Sequence, residues 1–248
     1  MASRILSQSV RLALRSSLLR APRFAVPARS FSVTPLRSNA TSQLLHKVVT
    51  DELKYEEADS FGLDESFKNY LDEQKIEIVN TDGSVLAELV KTTPEEKVHI
   101  YFDVLKISNV SYQLKQMQEE ADQEYLAEDI AEHGFADVNV VIEKNGKAIG
   151  YDLNLSLIDS QFFVGGITYF DDATLALSES PEAEAKRDVK YSGPLFSNLA
   201  EELQEAINEH LAARGIDSQL AEFILAYATV KENNEYLDWL SQLKDFTA

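Results

Sequence analysis

Two hydrophobic periods divide this chain. Over residues 42–58, Leu44, Leu45, Val48, Val49 and Leu53 recur at helical spacing, with Asp51, Glu52, Glu56 and Glu57 mostly outside the stripe, which predicts a helix. Ala58–Leu63, with Gly62, reads as a loop. From Ile76 the period falls to two. Ile76–Val79, Val85–Val90, Val98–Ile107, Asp137–Glu143, Ala148–Leu157, Phe162–Phe170 and a short Asp188–Tyr191 read as strands. Asp82-Gly83 and Asn145-Gly146 are hairpin signals, because a tight hairpin turn needs residues that accept positive φ. The pair Gly165-Gly166 marks a bulge or a close backbone approach. The stretch Ser108–Asp137 and the acidic residues 171–190 read as polar connections. After Gly193-Pro194 the helical period returns. Leu199, Leu203, Ala206, Ile207 and Leu211 share a face, Gly215 stops that helix, and Arg214 sits beside its negative end. A final helix over Ser218–Phe246 carries Leu220, Phe223, Ile224, Tyr227, Tyr236, Trp239, Leu240, Leu243 and Phe246. The layout predicts an α+β fold: one N-terminal helix, about seven antiparallel strands in a twisted sheet, then two C-terminal helices.

Charge adds a destination to this layout. Residues 1–40 hold seven arginines (Arg4, Arg11, Arg15, Arg20, Arg23, Arg29 and Arg37) and no acid. Setting those seven aside leaves 16 of the 23 basic residues against 42 acids, so residues 41–248 carry −26. A Ser- and Arg-rich, acid-free leader has the composition of a mitochondrial transit peptide. As a helix, residues 3–19 would put Arg4, Arg11 and Arg15 on one side of an Ile5/Leu12/Leu19 stripe. Arg29-Ser30-Phe31-Ser32 resembles a matrix processing site. We expect residues 1–38 to be the transit peptide, cut between 31 and 38, and 39–248 to be a single acidic domain with a flexible acidic loop over 108–135. The alternative, a basic arm for nucleic acid, fits poorly, since such arms favour lysine and this one has none.

The expected compartment is the mitochondrial matrix. A 44% hydrophobic chain has enough apolar residues for a core despite its charge. The acidic body argues against direct nucleic-acid binding, which needs Lys and Arg against phosphate. It favours basic protein partners or divalent cations. With no cysteine, thiolate ligands, disulfides and a Cys nucleophile are excluded. No apolar run reaches the ~20 residues of a membrane span.

Reactive motifs are scarce. His46, His99, His133 and His210 show no metal-ligand spacing, and Glu132-His133 is the nearest approach to one. The glycines form neither a phosphate loop nor a nucleophile elbow. Asp171-Asp172 reads as solvated loop charge. Asp122, Glu124 and Glu128 come nearest to a calcium loop, but the central Gly is missing. No catalytic residue, cofactor or metal site is assigned. The strongest interaction candidate is the run Glu119, Glu120, Asp122, Glu124, Glu128, Asp129 and Glu132. It reads as an anionic arm for basic clients, or as a solvated loop. The interleaved Val110, Tyr112, Leu114, Met117, Tyr125, Leu126 and Ile130 suit either a short docked helix or apolar anchors for clients.

The C-terminal third carries a family pattern. It reads Tyr191-Ser192-Gly193-Pro194-Leu195-Phe196-Ser197-Asn198-Leu199, then Arg214-Gly215-Ile216-Asp217 and Leu220-Ala221-Glu222-Phe223. It closes with Lys231-Glu232, Glu235-Tyr236, Trp239-Leu240 and Leu243-Lys244. This resembles the mitochondrial acidic matrix protein family, also called the mitochondrial glycoprotein family, whose mammalian member is the complement component-binding protein. The resemblance implies seven antiparallel strands flanked by one N-terminal and two C-terminal helices, and a doughnut-shaped homotrimer with one acidic face. It implies coiled-coil-like packing of the first and last helices, which here falls on Leu45, Val48 and Val49 against Trp239, Leu243 and Phe246. It further implies a non-enzymatic, chaperone-like protein that binds basic mitochondrial proteins, mitoribosomal proteins among them, and supports translation and respiration. A low-affinity calcium buffer is the alternative.

Overall fold

Helix α1 (Ala40–Asp59) is followed by α2 (Glu65–Gln74), which the hydrophobic pattern did not predict. The computed structural model describes residues 40–120 and 134–248, with residues 113–120 described by their backbone alone. Local chemistry fixes both ends of α2. The Asp64 carboxylate accepts the Ser66 amide at 2.8 Å as an N-cap, and Lys75 takes the left-handed conformation at the C-terminus (φ 56°). Phe67 and Tyr70 on α2 turn their rings onto Phe223, each with centroids 5.9 Å away.

The sheet is an antiparallel meander in the order β1-β2-β3-β4-β5-β6. Its strands are β1 (Ile76–Val79), β2 (Leu86–Thr92), β3 (Lys97–Asp103), β4 (Phe135–Lys144), β5 (Lys147–Ser156) and β6 (Gln161–Phe170). The described residues therefore hold six strands, one fewer than expected. The seventh, Asp188–Tyr191, is absent as a strand. Ser180 caps a helix that runs to Asp188, with Pro181 in its first turn, and Val189 and Tyr191 stay exposed, so their alternation buries nothing. The expected strand Val98–Ile107 is also shortened. Asp103 Oδ1 accepts the Lys106 amide at 2.9 Å and starts helix α3 (Val104–Glu120), in which Val104 and Ile107 are buried. The first part of the expected 108–135 loop is thus helical; residues 121–133 lie outside the described residues.

The turns follow their sequence signals. Asn145 and Gly146 both have positive φ (55° and 74°) and join Lys144 directly to Lys147. The β5–β6 register slips between Asp152 and Leu153, leaving Gly165 as the extra residue of a bulge. A side chain at Gly165 would meet the Asp152 carbonyl at 3.3 Å.

After β6 come α4 (Ala173–Leu177), α5 (Pro181–Asp188), a single 3-10 turn (Phe196–Asn198), α6 (Glu201–Ala212) and α7 (Ser218–Thr247). The acidic residues 171–190 are therefore mostly helical instead of loop. The sheet's inner face (Leu89, Ile100, Val140, Leu153, Val138) packs against Leu220, Phe223 and Ile224 of α7. Full burial of one such side chain contributes about 1.5–3 kcal/mol. Asp217 caps α7, accepting the Gln219 and Leu220 amides. The helix is long enough that its C-terminal half leaves the sheet and packs with α1.

Candidate functional site

Three regions are candidates. The first is the acidic run. Glu119 and Glu120 fall in the last turn of α3, while Asp122, Glu124, Glu128, Asp129 and Glu132 lie outside the described residues, as does His133.

The second region is the antiparallel pair α1/α7. Val49 and Leu53 of α1 and Leu240 of α7 form a small buried cluster, with Tyr236, Leu237 and Leu243 packed around it. On one side of this seam His46 Nδ1 lies 3.1 Å from the Lys244 carbonyl. On the other, the Tyr236 hydroxyl donates to Glu52 at 3.5 Å. Of the expected packing residues, Val49 and Leu243 lie in the seam. Leu45 is nearly half exposed in the single chain, and Val48, Trp239 and Phe246 more than half. Carboxylates crowd the Tyr236 side. Partial burial, then the nearby Glu56 carboxylate, push the Glu232 carboxyl above its ordinary value. Tyr236 is raised by burial first, then by Glu52 and Glu56. Among the described residues no Lys or Arg makes an ion pair with Glu52, Glu56 or Glu232.

The third region is the outer face of the sheet. Pairing registers place Glu88, Tyr101, Asn139 and Asp152 in one row and Val90, His99, Val141, Gly150 and Thr168 in the next. Helix α4 partly roofs this face through Ala173, Leu175, Ala176 and Leu177, and α5 borders it with Arg187 and Asp188. A cavity of about 450 Å³ remains, bounded by Tyr101, Asn139, Asp152, Thr168, Glu179 and Arg187 among others. Beside it lies a buried polar group: His99 Nδ1 is 2.8 Å from Glu88 Oε1 and 3.4 Å from the Tyr101 hydroxyl. His99 Nε2 has no hydrogen-bond partner and faces Glu143 Oε2 at 4.0 Å. Burial, then the Glu88 carboxylate, raise the Tyr101 phenol well above its ordinary value. An imidazole held by a carboxylate is the arrangement of a general base. Here, however, neither His99 nor Glu143 lines the cavity, so a bound molecule would not meet the free nitrogen. Arg187 is tied to the Leu175 and Ser178 carbonyls at 3.0 and 2.5 Å. The Glu88–His99–Tyr101 group links β2 to β3, and Arg187 fastens α5 to the end of α4. Among the described residues no three His, Asp or Glu side chains converge as a metal site would require.

The residues of the family-like pattern hold the fold. Arg214 Nη1 donates to the His210 carbonyl at 2.7 Å, its Nη2 donates to Glu96 at 2.9 Å, and its Nε lies 2.8 Å from the other Glu96 oxygen. Gly215 follows with φ 85°, closing the α6–α7 turn. Residues 49–247 match the model of the mitochondrial glycoprotein family. The chain belongs to that family. It is 28% identical over 163 residues to the mitochondrial acidic protein mam33 of Schizosaccharomyces pombe, covering 66% of this chain and 57% of that protein. The chain thus spans little more than half the length of that relative. An Arabidopsis thaliana mitochondrial protein, named as uncharacterised, is 37% identical over 72 residues, 29% of each chain. Two solved structures share the fold. A Leishmania major protein described as a homologue of human p32 has a TM-score of 0.62 at 22% identity, covering 84% of this chain and 99% of its own. The Trypanosoma brucei p22 protein has a TM-score of 0.63 at 20% identity, covering 84% and 100%. This is a mitochondrial protein of the acidic MAM33 family. No helix among the described residues is long and apolar enough to cross a membrane.

Sequence reasoning missed two groupings. The Glu52/Glu56/Glu232 crowd was detectable in part, since Glu52 and Glu56 stand four apart on one helix face. The Glu88–His99–Tyr101 group had a weaker signal, the two-residue spacing of His99 and Tyr101 on one strand face.

Proposed function

We infer that this chain is a non-enzymatic acidic binding protein of the mitochondrial matrix, delivered there by residues 1–38 and working as a homotrimer. It binds and shields basic proteins in a chaperone-like manner, mitoribosomal proteins among them, and so supports mitochondrial ribosome assembly, translation and respiration. The observation that carries this reading is the uncompensated charge: residues 41–248 hold 26 more acids than bases. The described ion pairs do little to mask it. Lys68–Glu65, Lys106–Asp137 and Lys144–Glu95 are exposed pairs, each contributing about 0–1 kcal/mol. A field of this sign attracts cationic chains quickly and is screened by salt beyond ~8 Å at physiological ionic strength. Single exposed contacts are weak, so useful affinity requires many of them at once, and a trimer supplies that by multivalency.

The test is affinity capture from matrix extract. Basic proteins, ribosomal ones included, are expected to bind at low salt and to elute as salt rises. Capture of no basic protein at low salt would overturn the reading.

A further inference from the structure

We propose that the Tyr236 side of the α1/α7 pair is a docking face for a cationic amphipathic helix, apolar residues against its outer end and Lys or Arg against its carboxylates. The inference rests on the proposed function and locates it.

Two stripes form the face. On α1, Leu45, Val48, Glu52 and Glu56 recur at steps of three and four, and so share one side of the helix. On α7, Glu232, Tyr236, Trp239, Leu243 and Phe246 do the same. The Tyr236–Glu52 contact joins the two stripes at their middle, so both look out on the same side of the pair. At the outer end Val48 is 55% exposed, Trp239 53% and Phe246 88%. Leu44 and Tyr55 extend the apolar surface along α1. A contiguous apolar surface of this kind on a chain so rich in charge marks an interaction site. Knobs at three–four spacing on two parallel ridges suit a third helix lying along them.

Charge chooses the occupant. The inner end of the face carries Glu52, Glu56 and Glu232 with no paired cation among the described residues. A second copy docking through this same face would bring the same three carboxylates against them. A cationic helix relieves that crowding while covering Val48, Trp239 and Phe246.

Trp239 is the chain's only tryptophan and reports on the face directly. The full chain is titrated with a tryptophan-free Leu/Lys peptide whose leucines fall at helical spacing, and with a scrambled peptide of the same composition. The expected result is a shift of Trp239 emission to shorter wavelength and binding roughly tenfold tighter for the amphipathic peptide, lost in Val48→Ser and Phe246→Ser. Both positions are exposed, so the variants retain the fold, and circular dichroism confirms it. Equal binding of the two peptides would sink the docking face while leaving the proposed function intact. Binding of neither would remove both. A smaller particle mass for Val48→Ser or Phe246→Ser by analytical ultracentrifugation would show a self-association surface and likewise overturn the proposal.

Discussion

Lys231 and Glu235 stand one turn apart on α7 and together hold the β1–β2 turn. Lys231 Nζ donates to Glu235 at 2.6 Å and to the Thr81 carbonyl at 3.0 Å. Glu235 in turn accepts the Gly83 amide through both oxygens, at 2.9 and 3.1 Å. Lys231 is 5% exposed, and its charge is matched on the spot. Two residues of the family-like C-terminal pattern thus fasten the long helix to the far edge of the sheet.

Removing Lys231 leaves a partly buried carboxylate without its counter-charge. Lys231→Ala is expected to cost about 3 kcal/mol in urea unfolding, because Glu235 keeps only the Gly83 amide and the Thr81 carbonyl loses the Lys231 donor. The double variant Lys231→Met/Glu235→Leu should recover most of that loss, since the freed Gly83 amide is exposed and water can satisfy it. A double variant no more stable than Lys231→Ala would contradict this account.

Arg214 is the equivalent fastener at the α6–α7 corner. Its guanidinium donates to Glu96 through Nη2 and to the His210 carbonyl through Nη1, with Nε close to the second Glu96 oxygen. An ammonium cannot reproduce that fork. Arg214→Lys is expected to lose about 1–2 kcal/mol and Arg214→Ala about 3 kcal/mol in denaturant titrations. Combination with Glu96→Gln should be strongly non-additive, because the two residues share one contact.

The turns at Asn145-Gly146, the bulge at Gly165 and the Arg214-Gly215 stop were legible because each depends on local φ preferences or on a close approach that only glycine allows. The sheet was legible through alternation. Misses fell where a short polar side chain overrides the apolar period. Asp103 caps a helix in the middle of the apparent strand Val98–Ile107, and Asp64 starts α2 where no long stripe exists. At the candidate site the five-residue stripe of α1 was visible, but periodicity cannot say how much of a stripe is covered. Val49 and Leu53 face α7, while Leu44, Leu45 and Val48 do not. The outer sheet face was hidden for a related reason: its residues alternate as a solvated face would, and the alternation does not show that α4 folds back over Tyr101, Val141 and Phe170.

His210 links the corner to pH. Burial, then the Arg214 charge, lower its imidazole below the ordinary 6.5, against a smaller opposing pull from Glu96, and its Nδ1 lies 3.2 Å from the Tyr151 hydroxyl. With the folded value depressed, the folded state resists protonation that the unfolded chain accepts. The stabilising contribution is therefore present above about pH 6.5 and is lost as pH falls toward the folded value. The melting temperature of the wild type should fall more steeply than that of His210→Gln on acidification through this range. Parallel pH profiles would exclude a part for His210.

Glu232 has the opposite sign. Its carboxyl is raised above the ordinary 4.5, first by burial and then by Glu56. A raised folded value means that the folded state prefers the protonated form. The favourable contribution is complete below 4.5 and disappears as pH climbs through the folded value, leaving a charged, crowded carboxylate at neutral pH. Glu232→Gln should therefore raise the melting temperature at neutral pH, and the gain should shrink as the buffer approaches about pH 4. Glu56→Gln should give a smaller gain with the same pH trend, since it removes only the second cause. A crowded carboxylate of this kind is stabilised by any arriving cation, so the wild type should also gain more from a bound Lys-rich helix than Glu232→Gln does. Differential scanning calorimetry with and without the Leu/Lys peptide measures both effects, and an equal gain in the two proteins would mean that Glu232 takes no part in docking.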